Sequence, residues 1–548
     1  MKRQLLVAFA VVLTLVLGAC APATPQVIEK IVEKTVVVPQ TVVVEQTKVI
    51  QQTVVVEQTK VVEKVVTATP KPVGGTLRIG TMEDIRNLDV HKTTGSADKP
   101  IFNVYNSLTR GGVNGEAIPE LAESWENPDP KTYIFHLRKG VKFHNGREFV
   151  ADDVIFSFNR VLTPELGSRY RNQLTQIDKM EAVDKYTLKI TLKDAYAPFL
   201  VYLQDVRIVP KEAEAQLGTK PVGTGPFIFV EWVPNDHLTL KKNPDYWEKG
   251  LPKLDQIIYK VVKDKQSAIV AFKTGDLDVL TASTLTPKEL LDLQKTVKGV
   301  QLVTVPVEAN YGVLLMDCAH PPTNNVKVRQ AIAYATNRDA ISKVVYDGVY
   351  PTANTIFPPE HWAYNPYALQ PEFNLDKAKA LFQETGVKKL TFHTWSDYPD
   401  FKQQAEILQQ DLAKIGVQLD VIALDSSAFV AAVYPKDKTY NIANTSYLRE
   451  IDPDGWLKYY YSDKAGAGNE TNYSNPEVDK LLIQARSELD QAKRKALYDQ
   501  VQKIIVTDLP KITLVFRKTT LPVQGYVVGI TIPYKGDEPY LREAYINK

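Results

Sequence analysis

From residue 74 onward, apolar and polar positions follow two different periods. Runs rich in β-branched and aromatic residues, with partial alternation, predict strands at residues 76–80, 133–138, 186–192, 237–242, 256–262 and 301–307. Apolar residues three and four apart predict a helix over residues 401–415, which ends at Gly416, and a strand follows at residues 417–422. Strands alternating with helices predict an α/β fold of open sheets covered by helices, with ligands in crevices at strand ends.

The first twenty residues have the pattern of an export signal. Lys2 and Arg3 precede an apolar run at residues 5–17 that is short for a membrane span. Residues 17–20 read Leu-Gly-Ala-Cys and resemble the lipobox of bacterial lipoproteins, in which the cysteine is acylated. We therefore expect residues 1–19 to be a signal peptide and Cys20 to anchor the mature protein, outside the cytoplasm, to a bacterial membrane.

Residues 20–73 have a different composition from the rest of the chain. They are rich in Val, Thr, Lys, Glu and Gln, and the octapeptide TVVVEQTK occurs at residues 41–48 and again at 53–60. Without aromatic residues the segment cannot build a packed core alone, so we expect a tether, although its β-branched clusters could also pair into a stalk or a short coiled coil.

Length and charge limit the classes of function. A chain of 548 residues, 44% hydrophobic, predicts two or three domains. Its 66 basic and 64 acidic residues are interspersed and give a net charge of +2, so we expect no nucleic-acid partner. With Cys20 acylated, Cys318 has no partner for a disulfide and is interpreted as a core residue.

The common signatures of catalysis and metal binding are missing from the sequence. There is no phosphate-binding glycine loop and no G-x-S-x-G, and the seven histidines include no pair four residues apart. Asp152 and Asp153 are adjacent, which suits the start of a helix running to Val161 better than an acid/base pair. We predict no catalytic residue, cofactor or metal site, although a carboxylate pair that includes Asp452 or Asp454 stays open.

Five stretches closely resemble the family 5 extracellular solute-binding proteins of ABC importers, which include dipeptide-, oligopeptide- and nickel-chelate-binding proteins. They occur in the family's order and with similar spacing, and the resemblance runs from about residue 74 to near the C-terminus. The stretches are residues 118–160, 222–232 (VGTGPFIFVEW), 240–247 (LKKNPDYW), 326–341 (VKVRQAIAYATNRDAI) and 472–482 (NYSNPEVDKLL).

The resemblance implies a type II periplasmic binding fold, whose two lobes close over a ligand about a hinge. By analogy, residues 111–221 form a subdomain inserted in lobe one, and two crossings near Pro306 and Val506 form the hinge. Lobe one would combine residues 74–110, 222–308 and 507–548, and lobe two would be residues 309–506.

The resemblance also implies a function. The chain would be a substrate-binding lipoprotein, not an enzyme, that captures a peptide-like solute and delivers it to a membrane permease whose separate subunits hydrolyse ATP. We expect a monomeric globular part in the periplasm or at the cell surface. The alternatives are an oligosaccharide or other anionic solute, a sensory binding protein, and a cell-surface hydrolase.

The stretch SYLREIDPDGW, residues 446–456, is the main candidate for a ligand contact. Peptide-binding relatives carry an aspartate four residues before the proline, and that carboxylate pairs with the peptide ammonium. Here Arg449 occupies that position. Either Arg449 binds an anionic ligand group, with Glu450 or Asp452 orienting it, or Glu450 binds the amine and Arg449 is a rim residue. A surface turn with ordinary salt bridges is the third reading.

Other candidate ligand residues come from matching positions or flank this stretch, and each of the aromatic ones could instead pack in the core. They are Met82, Glu83, Tyr105, Asn106, Trp395, Tyr398, Tyr447 and Trp456.

Overall fold

The computed structural model describes residues 74–93, 96–112, 114–281, 285–305, 310–434, 440–448, 450–462, 468–532 and 540–548. Residues Gly74–Lys548 form one compact unit. The predictions for Cys20, for the signal peptide and for the tether lie outside the described residues.

Strands of two to eight residues recur along this unit. They are β1 Thr76–Thr81, β2 Thr109–Gly111, β3 Ala117–Pro119, β4 Ala122–Asp129, β5 Thr132–Leu137, β6 Ile177–Asp184, β7 Thr187–Leu192, β8 Phe227–Val233, β9 His237–Lys242, β10 Gln256–Val261, β11 Val279–Leu280, β12 Gln301–Thr304, β13 Asn310–Met316, β14 Lys389–Trp395, β15 Gln418–Leu424, β16 Ile442–Leu448, β17 Lys511–Arg517, β18 Thr520–Val523, β19 Val527–Val528 and β20 Tyr545–Ile546. The strands predicted from the sequence are present, but β12 ends at Thr304, and the last two residues predicted for it, 306 and 307, lie outside the described residues.

Helices lie between the strands. They are α1 Ala151–Leu162, α2 Arg171–Leu174, α3 Phe199–Tyr202, α4 Lys265–Thr274, α5 Pro287–Thr296, α6 Val326–Ala335, α7 Arg338–Val345, α8 Leu375–Thr385, α9 Pro399–Lys414, α10 Ser426–Val433, α11 Pro453–Leu457, α12 Pro476–Ser487 and α13 Gln491–Asp508. The 3₁₀ helices are Ser96–Val104, Pro164–Leu166, Leu203–Asp205, Lys211–Gln216 and Lys458–Tyr460.

Two of these helices test the sequence patterns directly. In α9 the predicted apolar positions are buried, and the chain turns at Gly416, whose φ of +80° suits glycine. Helix α1 begins at Ala151 with Val150 at the N-cap, which is two or three residues before the aspartate expected in that position, Asp152 or Asp153. The Asp153 carboxylate still serves the helix start, because it accepts the Val150 amide at 2.9 Å.

The first lobe is built on a seven-stranded sheet in the order β12-β18-β11-β1-β10-β9-β8. β1 pairs in parallel with both β10 and β11, so these strands end on one edge of the sheet. A separate four-stranded antiparallel sheet, β4-β5-β7-β6, lies within the range predicted for the inserted subdomain.

The second lobe is built on a five-stranded sheet in the order β15-β14-β16-β13-β17. The alternating residues of β13 join two different cores: Tyr311 and Val313 pack on one face, while Leu314 and Met316 pack on the other. The second lobe is therefore a five-stranded sheet with helices packed on both faces.

The chain crosses between the two large sheets twice. The first crossing runs between Thr304 of β12 and Asn310 of β13, and the expected hinge position at Pro306 lies outside the described residues. The second differs from the expectation near Val506, because Val506 lies inside α13 and the following strand β17 pairs with β13. The chain returns to the first sheet only after Arg517, where β18 begins.

Candidate functional site

The candidate site in the second lobe lies where parallel strands end. β14 pairs in parallel with β15 and with β16, so Trp395, Leu424 and Leu448 mark one edge of the sheet. The chain that leaves β16 continues into residues 450–456, here called the lip segment. Ligands of open α/β sheets bind at the carboxyl ends of strands, so the lip segment is well placed to meet one. Arg449, the leading candidate, lies outside the described residues.

Asp452 holds the lip segment rather than facing open space. It caps α11 by accepting the Asp454 amide at 2.8 Å. Arg494 of α13 donates to both carboxylate oxygens, each at 2.6 Å, and Asp452 is only 3% exposed. Both oxygens are therefore engaged by a buried bidentate ion pair.

Asp454 has a second buried partner. Its carboxylate accepts from Arg486 of α12 at 2.9 Å. Burial raises the pKa of Asp454, and the nearby Asp452 charge adds to this, while Arg486 and Arg494 oppose it. Asp452 and Asp454 both have arginine partners, so the carboxylate pair left open for a hydrolase is engaged in structural ion pairs.

Glu450 lies nearer the surface and has a lysine partner. The Lys458 ammonium donates to Oε1 of Glu450 at 3.0 Å, and it also lies 5.0 Å from the centre of the Tyr459 ring. Burial lowers the pKa of Lys458, but the charge and hydrogen bond of Glu450 together with those of Tyr459 outweigh it, and the net shift is upward. Lys458 therefore stays charged through the neutral range.

Tyr447 packs in a buried cluster around Lys511. The Lys511 ammonium donates to the Tyr447 hydroxyl and to Glu470, both at 3.1 Å. It also lies 4.6 Å from the ring centres of Tyr447 and Tyr459. Burial lowers the pKa of Lys511, while Glu470 opposes that shift. Tyr447 belongs to the same hydrophobic cluster as Trp456, so this cluster packs against the lip segment.

The tryptophans differ in how far they reach the surface. Trp456 is buried and stacks on Tyr311, with ring centroids 4.4 Å apart and planes at 8°. Trp395 stacks on Phe429 at 4.0 Å, and its indole N–H donates to the Asn444 carbonyl at 3.0 Å. Both therefore have packing roles.

Tyr398 is the predicted aromatic that reaches solvent in this lobe. It is 49% exposed and meets the edge of Trp395 with ring centroids 5.8 Å apart. It lies three residues after the end of β14, at the N-cap of α9, and so at the same edge of the sheet as the lip segment.

The first-lobe candidates fall into two groups. Met82 and Glu83 directly follow β1 at the strand-end edge, and Glu83 is exposed and pairs with Arg86 at 3.0 Å. Asn106 is buried, donates to Glu120 at 2.8 Å and accepts from the Trp247 indole at 3.2 Å.

Tyr105 belongs with Asn106 rather than with the strand-end residues. It is 2% exposed, and its hydroxyl has no hydrogen-bond partner within the described parts of the chain. Burial raises its pKa well above the usual value. Tyr105 and Asn106 therefore lie in the packed interior and not at an open surface.

The inserted subdomain touches the lip segment, which the sequence did not reveal. The Ala197 amide donates to the Arg486 carbonyl at 2.8 Å, and Val201 packs on Ile451. A Cβ atom on Gly455 would lie 2.7 Å from both the Tyr202 hydroxyl and the Glu450 Cβ, so only glycine fits there without a shift. The lobes therefore meet beside the candidate ligand residues.

Neither a metal-binding cluster nor a membrane-spanning helix is found among the described residues. No group of three or more His, Cys, Asp or Glu side chains is arranged to hold a metal ion among them. None of their helices combines the length and the apolar character needed to cross a bilayer.

Comparisons with known proteins concern the chain as a whole. The description "Bacterial extracellular solute-binding proteins, family 5 Middle" matches residues 116–468. The chain is 31% identical over 461 residues to Di/tripeptide-binding protein 1 of Pseudomonas aeruginosa, covering 76% of this chain and 84% of that protein. It is 32% identical over 474 residues to Heme-binding protein A of Haemophilus influenzae, covering 79% and 85%.

A solved structure matches nearly the whole described unit. The ABC transporter substrate-binding protein CtaP of Listeria monocytogenes gives a TM-score of 0.79 at 25% identity, covering 87% of this chain and 100% of that one. The predicted fold class is confirmed: a two-lobed type II periplasmic binding fold with a hinge and an inserted subdomain.

Proposed function

Because the chain belongs to the bacterial extracellular solute-binding proteins of family 5, we propose that it captures a peptide between its two lobes for an ABC importer. The permease would receive the peptide, and separate subunits would hydrolyse ATP. The observation that carries the proposal is the meeting of the two lobes at the lip segment, beside the ends of parallel strands. A ligand that bridges the lobes would favour the closed state by its differential affinity.

Peptide is the proposed ligand class because Di/tripeptide-binding protein 1 is named for that activity. A relative named for heme binding shows that ligand class varies among proteins of similar identity. The proposal includes no catalytic step, and the globular part would act as a monomer.

The ligand contacts proposed are those at the open edges of the two sheets. In the second lobe these are Glu450 and Tyr398; in the first they are Met82 and Glu83. Arg449 lies outside the described residues and is proposed as a contact from the sequence alone. The buried candidates Asp452, Tyr447 and Trp456 and the half-buried Trp395 would support the contact surface from behind, because their polar groups or rings already have protein partners.

We also propose that the protein is a lipoprotein acting outside the cytoplasm. The support is the sequence at residues 17–20, which ends in Cys20. A Cys20→Ser variant is expected to leave the membrane fraction and appear as soluble exported protein. Equal membrane retention of the variant would contradict lipid anchoring at this residue.

The ligand can be identified by native mass spectrometry of residues 74–548, purified without denaturation. A copurified peptide that is lost in Arg449→Ala would assign an anion contact to Arg449. A peptide retained there but lost in Glu450→Ala would assign the amine contact to Glu450, and a copurified neutral sugar would overturn the peptide assignment.

Import is separated from a sensory role by uptake. Deleting the protein should abolish uptake of its ligand in a strain that has no redundant binder. Unchanged uptake would contradict import.

A further inference from the structure

Three carboxylates of the lip segment are matched by three cations of the same lobe. Asp452 pairs with Arg494 at 2.6 Å, Asp454 with Arg486 at 2.9 Å and Glu450 with Lys458 at 3.0 Å. The two aspartates are buried, so they belong to the framework of the lobe. In the third pair the carboxylate is itself partly exposed, with 23% of the Glu450 side chain and 34% of the Lys458 side chain accessible, whereas the partly exposed Arg486 covers an Asp454 side chain that is 6% exposed.

Glu450 lies where the two lobes meet. Its Cβ atom and the Tyr202 hydroxyl approach Gly455 together, and neighbouring Ile451 packs on Val201 of the inserted subdomain. A ligand held at this contact would therefore meet the Glu450–Lys458 pair.

The Lys458 ammonium reduces the attraction of the Glu450 carboxylate for a cationic group of the ligand. A carboxylate without an internal partner would gain from pairing with a peptide α-ammonium. Here a second ammonium would share the carboxylate with Lys458 and would be repelled by it at close range. The usual advantage of a charged amino end is therefore cancelled.

We propose that Lys458 is a specificity-determining residue, which acts by neutralising Glu450 so that the site does not select peptides with a free α-ammonium. The proposal rests on peptide capture as the function. Peptides with an uncharged, acylated amino end are expected to bind as tightly as peptides with a free one, or more tightly.

The test uses two pools made from one random tripeptide library, one with free amino ends and one N-acetylated. The purified protein is mixed with equal amounts of both pools, and the captured peptides are counted by mass spectrometry. The wild type should capture acetylated peptides at least as well as free ones. A preference of tenfold or more for the free pool would overturn the proposal.

Variants identify the residue responsible. Lys458→Met should shift the preference about tenfold toward free amino ends, because Glu450 then lacks that ammonium. Lys458→Arg should restore the wild-type preference, and the double variant Lys458→Met with Glu450→Gln should lose the shift. Lys480→Met is the matched control, since Lys480 forms an exposed pair with Glu477 on α12.

Each remaining outcome is decisive. An unchanged preference in Lys458→Met, with thermal unfolding like that of Lys458→Arg, would overturn the role of Lys458. Capture of neither pool by the wild type would overturn peptide capture itself and the role of Lys458 with it, whereas capture of both pools with the wrong preference would overturn the role of Lys458 alone.

Discussion

The Asp452–Arg494 pair is the residue-level contact that fixes the lip segment. Arg494 also donates to the Ala485 carbonyl at 2.8 Å and to the Tyr498 hydroxyl at 2.9 Å. One guanidinium therefore ties α11, α12 and α13 together. A buried pair of this kind stabilises less through its own attraction than through the cost of leaving one partner alone.

Removing the Arg494 guanidinium should lower the stability of the fold strongly. Arg494→Met leaves the Asp452 carboxylate buried without its partner, and we expect a loss of about 3–5 kcal/mol in the free energy of unfolding. Urea unfolding of the variant measures it. Lys493→Met, at the exposed neighbouring position, should change the unfolding free energy by less than about 0.5 kcal/mol; a similar loss in both variants would contradict this account.

His144 should make the free energy of unfolding depend on pH. Its Nε2–H donates to the Gly225 carbonyl at 3.0 Å, while its buried Nδ1 has no partner within the described residues. Burial lowers the pKa of His144 from 6.5 to about 4, and the Gly225 contact opposes the shift. The unfolded chain therefore takes up this proton at higher pH than the folded one.

The contribution of His144 to the free energy of unfolding is fully present above pH 6.5. It should be lost as the pH falls toward 4, and the loss should be on the order of 3 kcal/mol. Urea midpoints at several pH values test this, with His144→Gln as the comparison. The variant should lose less stability over that interval. Parallel curves for the two proteins would show that His144 is not the group responsible.

Much of the residue-level site lies beyond sequence reasoning. Arg494 is 42 positions from Asp452, and no local period connects them. The sequence located the charged stretch and left its three readings open, but only the packing of α12 and α13 shows which carboxylates are buried.

At the scale of elements, the contact between α3 and the lip segment joins the two lobes. α3 covers only Phe199–Tyr202, yet its Val201 meets Ile451 and the preceding Ala197 reaches Arg486. An apolar contact of this kind between the lobes would favour the closed state in addition to what a bound ligand contributes.

A charge placed in this contact should weaken closure. Val201→Asp puts a carboxylate against buried Ile451, and we expect the ligand dissociation constant to rise about tenfold, since closure then costs an extra 1.4 kcal/mol. Calorimetric titration with the copurified ligand measures the constant. Val183→Asp is the control, because Val183 is 61% exposed in the same subdomain; equal effects of the two changes would refute the closure contact.

The elements themselves were largely predictable, because strand and helix periods are local. The assignment of β17 to a lobe was not. Its sequence KITLVFR is buried at almost every position, and nothing local indicates which sheet a wholly buried strand joins. Its partner β13 lies about two hundred residues earlier in the chain.

At the scale of the whole molecule, residues Gly74–Lys548 contain both lobes and their connections as one compact unit. The protein without residues 1–73 should therefore unfold at the same urea concentration as the full chain and bind ligand with the same affinity. A lower midpoint would show that the first 73 residues contribute to the stability of the unit.

The two crossings between the lobes lie side by side where the structure describes them. β12 pairs antiparallel with β18 on one side, β13 pairs antiparallel with β17 on the other, and the Val305 amide donates to the Thr519 carbonyl at 3.0 Å between them. Two adjacent connections of this kind can act as one hinge, and rotation of the lobes about it would make or break the packing of α3 on the lip segment.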